Sequence, residues 1–151
     1  MTGLAINGAI EHIEKSSYAL LVTVGDDGKP AVREIGPFIN SGLDIYFVTR
    51  NDSHKVKEFT NRPHVTLYFP NTNLPPKDFK TAAVSGTVAR ISSEAEMHGI
   101  LDKLGQKSPG YKNYIAREGL NIWGVYKMTA ENLQCTDFSK STRTVKLLIN
   151  K

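Results

Sequence analysis

The sequence predicts a mainly β, α+β domain: an antiparallel barrel of six or seven short strands with short helices packed outside. Three observations point there. β-branched and aromatic runs recur along the chain, turn residues separate them at hairpin spacing, and apolar residues at helical spacing occur only in brief stretches. With 151 residues, 40% hydrophobic and 23% charged, the chain has the size and core content of one domain spanning residues 1–151. No repeat, low-complexity stretch or linker divides it, and no glycine-rich dinucleotide or phosphate-loop motif argues for a parallel sheet.

Ile6, Ile10 and Ile13 recur at helical spacing before Ser16-Ser17, predicting an opening helix laid over the core. Tyr18 to Val24 is β-branched and aromatic, Asp26-Asp27-Gly28-Lys29 supplies a turn, and Pro30 to Ile39 reads as one returning strand. A second turn at Asn40-Ser41-Gly42 leads into Leu43 to Thr49, where Leu43, Ile45, Phe47 and Thr49 share one face and Asp44, Tyr46 and Val48 the other. Ser53 stands where an N-cap would, Val56 and Phe59 are three apart, and Asn61-Arg62-Pro63 stops the short helix they define. His64 to Phe69 is the next strand, and Asn71 to Asp78 a loop. Phe79 to Ile91 is a long strand with Gly86 as a bulge or close-approach point. Ser93 and Glu96 have capping-box spacing, and Met97, Ile100, Leu101 and Leu104 then define a helical face up to Gly105. Tyr111 to Arg117 supports another helical turn, Asn121 to Met128 and Leu133 to Phe138 two closing strands, and Val145 to Ile149 one more.

The 19 Lys+Arg against 15 Asp+Glu leave a formal +4, with the cations scattered, a balance that suits an anionic small ligand as well as nucleic acid. A nucleic-acid binder would interleave aromatics with Lys/Arg on one sheet face, which these strands do not do. The single cysteine, Cys135, excludes an intrachain disulfide and a multi-cysteine metal site, and reads as a small buried apolar residue. Histidines 12, 54, 64 and 98 have no ligand spacing, so no metal is expected; His64 reads as a core-edge residue. Lys103, Lys107 and Lys112 read as a solvated basic face. No apolar run approaches the roughly 20 residues of a membrane span, and the amphipathic segment Met1 to Lys15 lacks a signal-peptide core, so a soluble, cytoplasmic protein is expected.

The chemistry concentrates in Tyr46 to Lys55, taken with Arg33 on the preceding strand. A strand ends in Thr49, a short polar loop follows, and a helix begins at Ser53 with Lys55 in its first turn. A helix N-terminus presents unpaired N–H groups and partial positive charge, which suits a phosphate. Lysine there opposes the helix dipole, and a bound anion would explain it. Arg33 has the fork geometry to pair with phosphate oxygens from the adjacent strand. On charge and capping alone, an ordinary solvated loop and helix start fits as well.

Phe47-Val48-Thr49-Arg50-Asn51-Asp52-Ser53-His54-Lys55, followed by Phe59, Asn61-Arg62-Pro63-His64-Val65 and Leu67-Tyr68-Phe69, resembles the signature of the pyridoxamine 5′-phosphate oxidase-like FMN-binding split-barrel flavoproteins. The similarity runs from about Tyr18 to Ile91. It implies a split barrel holding FMN at the interface of a homodimer, with the ribityl phosphate on Arg33, Thr49, Ser53, His54 and Lys55 and with Val48 beside them. It places Glu34, Ile35 and Gly36 along the isoalloxazine edge. Trp123 reads first as a core residue; the resemblance makes it a candidate flavin wall contributed by the partner subunit. Three departures stand out. His54 replaces the usual arginine, which makes one phosphate contact pH-dependent or absent. Thr81 stands where the oxidase proper carries a flavin-contacting glutamine. The substrate-binding Arg-x-His element has no counterpart in Ser139 to Lys151. The resemblance is therefore to the general-stress-protein branch. It implies a flavoprotein, an FMN-dependent oxidoreductase acting on an unidentified small molecule without pyridoxamine phosphate oxidation; catalytic residues are unassigned. The alternatives are a non-enzymatic flavin- or haem-binding sensor module, and a deazaflavin in place of FMN.

Overall fold

The computed structural model describes residues 2–149. Met1, Asn150 and Lys151, the ends of the expected domain and the first residue of the opening amphipathic segment, lie outside the described residues.

The chain opens with α1 (Thr2–Lys15), whose Ala9 and Ile13 are buried against the sheet as the isoleucine spacing requires. β1 (Ala19–Val24) and β2 (Pro30–Ile35) form the first hairpin, and Gly28 takes a positive φ of 77° in its turn. β3 (Phe38–Ser41) and β4 (Asp44–Arg50) form the second. Then come α2 (His54–Asn61), β5 (His64–Phe69), a short 3-10 turn at Pro76–Asp78, β6 (Lys80–Arg90), α3 (Glu94–Lys107), α4 (Pro109–Glu118), β7 (Trp123–Asp137) and β8 (Thr144–Leu148).

All eight strands join one antiparallel sheet in the order β2-β1-β5-β6-β7-β4-β3, with β8 on the free half of β7. Its two ends, β2 and β3, are consecutive in the chain and joined through Gly36-Pro37, a cis peptide. The sheet curls on itself, and its end strands β2 and β3 are not paired with each other. The result is a split half-barrel with helices outside. Its interior is filled by one cluster that includes Leu21, Ile45, Phe47, Leu67, Val84 and Met128. A second cluster, including Val48, Leu104, Ile115, Trp123 and Val125, seats α3 and α4 on the other face of β4 and β7. That is why Val48 is buried although alternation puts it opposite Phe47.

Five sequence expectations change. Pro30 to Ile39 is two strands rather than one, because Pro37 has no N–H to continue the ladder and the chain crosses there between the sheet's ends. Residues 121–138 hold one long strand rather than two: β7 pairs with β6 from Tyr126 to Asp137 and passes from β4 to β8 on its other side. The two changes offset each other in number, and the sheet holds eight strands where six or seven were expected. α3 runs past Gly105 to Lys107, and the Lys112 stem packs over Gly105, where a Cβ would make it shift. His64 is a surface residue, 77% exposed and 3.5 Å from Glu131. Lys107 also leaves the solvated face expected of it: it is half-buried, donates to the Phe38 carbonyl at 3.0 Å and lies 4.1 Å from that ring's centre. Gly86 is as expected: the β6–β7 register shifts at Ser85/Gly86, and a Cβ there would overlap the Thr129 carbonyl. Among the described residues no helix is long and apolar enough to cross a membrane.

Candidate functional site: a cationic cradle at the start of α2

The loop between β4 and α2 is pinned at several points. Asn51 N–H donates to the Ile122 carbonyl at 2.8 Å, its side-chain amide to the Asn121 carbonyl at 3.2 Å, and Tyr126 donates its hydroxyl to Asn51 Oδ1 at 2.6 Å. Ser53, in extended conformation (φ −76°, ψ 153°), then starts α2, which lays Val56 and Phe59 over one end of the barrel. Arg62 N–H caps the far end on the Glu58 carbonyl, before Pro63.

Ser53 occupies the N-cap position without capping. Its hydroxyl makes no side-chain bond to the first turn, and its Oγ is buried without a hydrogen-bond partner. A buried hydroxyl left this way costs about 1–3 kcal/mol and calls for an explanation. The first turn carries no acidic residue and holds Lys55 instead. Lys55 is half-buried, and its Nζ donates to Thr49 Oγ1 at 2.7 Å. Burial, and then the nearby Arg33 guanidinium, push its ammonium below the ordinary lysine value. Arg33 projects from β2 opposite Leu21, and its Nη2 donates to Glu58 Oε1 at 2.9 Å. The same oxygen accepts the Thr23 hydroxyl at 3.0 Å.

Arg33, Thr49, Ser53 and Lys55 are thus brought together as the sequence suggested. His54, the first residue of α2, is exposed beside them. Glu58 and Thr23 were missed. The signals were present: Glu58 follows Lys55 by three residues on α2, and Thr23 is a hydroxyl in the inward series Ala19, Leu21, Thr23. The third cation nearby, Arg50, is engaged elsewhere, 3.2 Å from Asp52 and 3.7 Å from Glu118, and 5.9 Å from the Trp123 ring centre.

The other expected site residues lie apart from this group. Glu34 is exposed and Ile35 is in the core. Gly36 abuts Ser17 and Tyr18, which border a cleft of about 220 Å³. Thr81 pairs with Thr136 near the start of β6, and no hydrogen bond or ion pair joins it to the cationic group. Val48 is buried in the second core away from the cradle, and its carbonyl accepts the Tyr111 hydroxyl at 3.2 Å. Trp123 is buried between Tyr111 and Tyr114 of the same chain, and its Nε1–H donates to Glu118 at 2.9 Å. A larger cavity of about 400 Å³ is lined by Val56, Phe59, Val88, Arg90 and Tyr126 among others, and by none of Arg33, Ser53 and Lys55. Among the described residues no cluster suits a metal ion. Burial raises the Cys135 thiol, which disfavours the nucleophilic thiolate.

These residues fit a phosphate monoester. Two cations converge, Ser53 offers an unused hydroxyl, and the first-turn N–H groups of α2 have no acceptor within the helix.

The fold is that of a split β-barrel, and the cationic group sits where its strand β4 leads into α2. The sequence profile described as pyridoxamine 5′-phosphate oxidase matches residues 8–123, and the chain belongs to that family. No curated protein sequence matches it. Solved structures share the fold at low identity. A protein from Clostridium acetobutylicum, related to general stress protein 26 of the pyridoxinephosphate oxidase family, superposes with a TM-score of 0.71 at 18% identity, covering 95% of this chain and 94% of that one. A haem-binding protein from Mycobacterium smegmatis gives 0.79 at 12% identity and covers 95% of this chain, which spans only 57% of that longer protein. The haem storage protein HutZ from Vibrio cholerae gives 0.67 at 14% identity, covering 80% of this chain and 86% of that one.

Proposed function

We propose that the chain is an FMN-binding flavoprotein that uses the flavin as a redox centre for an unidentified small molecule. The observation that carries this reading is the buried, unpartnered Ser53 Oγ beside a half-buried Lys55 that has a hydroxyl but no carboxylate for a partner among the described residues. A phosphate would accept from Ser53, Lys55, Arg33 and the first-turn N–H groups of α2. It would also offset the Arg33–Lys55 repulsion. Thr49 fixes the Lys55 ammonium, and the bonds from Asn51 to the start of β7 fix the loop. Bound there, the flavin supplies the hydride or electron transfer; the protein contributes position and charge.

The flavin is read as shared across a homodimer, because a chain of this size leaves much of a ring system exposed. A deazaflavin phosphate would suit the same cradle, and the mass of the extracted cofactor separates the two. The pyridoxamine phosphate reaction is not part of this reading: it needs a second phosphate site above the flavin, and Ser139 to Lys151 lacks the Arg-x-His element. Loaded protein is expected to turn over pyridoxamine 5′-phosphate far below about 1 per second.

The test is FMN titration of wild type, Arg33→Ala and Lys55→Ala. Each charge-assisted contact is worth about 1.5–3 kcal/mol, so each variant should weaken binding at least about tenfold. Unchanged affinity in both variants would overturn the reading. The haem-bearing relatives of the same fold motivate a second reading, and a haemin titration that gives a Soret band while FMN fails to bind would favour it.

A further inference from the structure

We propose that Glu58 is a positioning residue of this cradle, clamping Arg33 by one edge so that its remaining donors face the ligand; the inference rests on the phosphate reading above. Arg33 and Lys55 are like charges close enough that Arg33 helps to depress the Lys55 ammonium. Unanchored, a long arginine would relieve that repulsion by turning to solvent. Glu58 prevents this. Its Oε1 accepts Arg33 Nη2 at 2.9 Å, and it is itself oriented by the Thr23 hydroxyl at 3.0 Å, on a threonine with no exposed surface. Gly25 leaves room for the carboxylate, since a Cβ there would come within 3.1 Å of Oε2.

Of the guanidinium's three nitrogens, only Nη2 is engaged among the described residues, which leaves Nε and Nη1 as donors for phosphate oxygens. α2 therefore does two jobs from one face. Lys55 meets the ligand, and Glu58, three residues on, aims the other cation.

The experiment compares wild type, Glu58→Ala and Glu58→Gln with two probes, FMN and riboflavin, and records arginine side-chain NMR of the free proteins. Glu58→Ala should weaken FMN at least about fivefold (1 kcal/mol or so) and leave riboflavin unchanged. Glu58→Gln keeps the acceptor oxygen and should restore FMN affinity to within about threefold. Tighter FMN binding by Glu58→Ala would show that Glu58 competes with the ligand. Equal losses for FMN and riboflavin would show a scaffold role. Either result overturns the proposal. In the NMR spectra, Arg33 should show slowed guanidinium rotation in wild type and Glu58→Gln, and averaged signals in Glu58→Ala. Averaging in all three overturns the clamp whether or not any flavin binds, so failure of the clamp is separable from failure of the FMN reading.

Discussion

Ser53 and Lys55 both carry a cost in the free chain that a ligand would remove, and each makes a separate prediction. Ser53 Oγ is buried without a partner and caps nothing, so Ser53→Ala forfeits no bond of the free protein. Removing such a group is expected to raise the unfolding free energy by about 1 kcal/mol while FMN affinity falls. Loss of both in urea denaturation and FMN titration would show that the hydroxyl is structural. For Lys55, burial and Arg33 lower the folded-state value, whereas the unfolded amine keeps its proton up to about 10.5. Between those values the unfolded chain binds more protons, so this group's contribution to stability rises with pH; its penalty is full below the lowered value. Lys55→Met should therefore be more stable than wild type at neutral pH, with the gain shrinking as pH approaches 10.5. A gain that does not change with pH would break the link to titration.

At the scale of elements, local rules succeeded where the signal was local. Ser93 accepts from Glu96 N–H at 3.3 Å, the cap its spacing promised. Gly86 sits at the register shift, with the Thr129 carbonyl where a Cβ would go. Gly86→Ala should thus cost about 1–3 kcal/mol, read as a lower urea midpoint with an unchanged slope; an unchanged midpoint would mean that the bulge relaxes at no cost. The misread elements depend on distant partners. Nothing near Pro30 to Ile39 says that its halves belong to opposite ends of the sheet. Nothing within residues 121–138 says that β6 pairs across both expected strands while β4 hands over to β8. Likewise Arg33 was legible as a cation facing the cradle, but its partner Glu58 lies 25 residues away, so that pairing was set by where α2 packs.

The whole molecule is a barrel whose ends meet at Gly36-Pro37, capped by α2, with a second core seating α3 and α4. That second core holds Trp123, as its first reading as a core residue expects, together with Val48, which the family resemblance set beside the phosphate. What capping by α2 does is place a helix N-terminus, Lys55 and the Arg33–Glu58 pair at one spot on the barrel. The central claim is that this spot reads a phosphate rather than a flavin ring. Parallel titrations of the wild-type protein with FMN and riboflavin test it most directly, since the two ligands share the ring and differ in the phosphate. FMN is expected to bind at least about a hundredfold more tightly, the effect of two charge-assisted contacts. Equal affinities would contradict the claim.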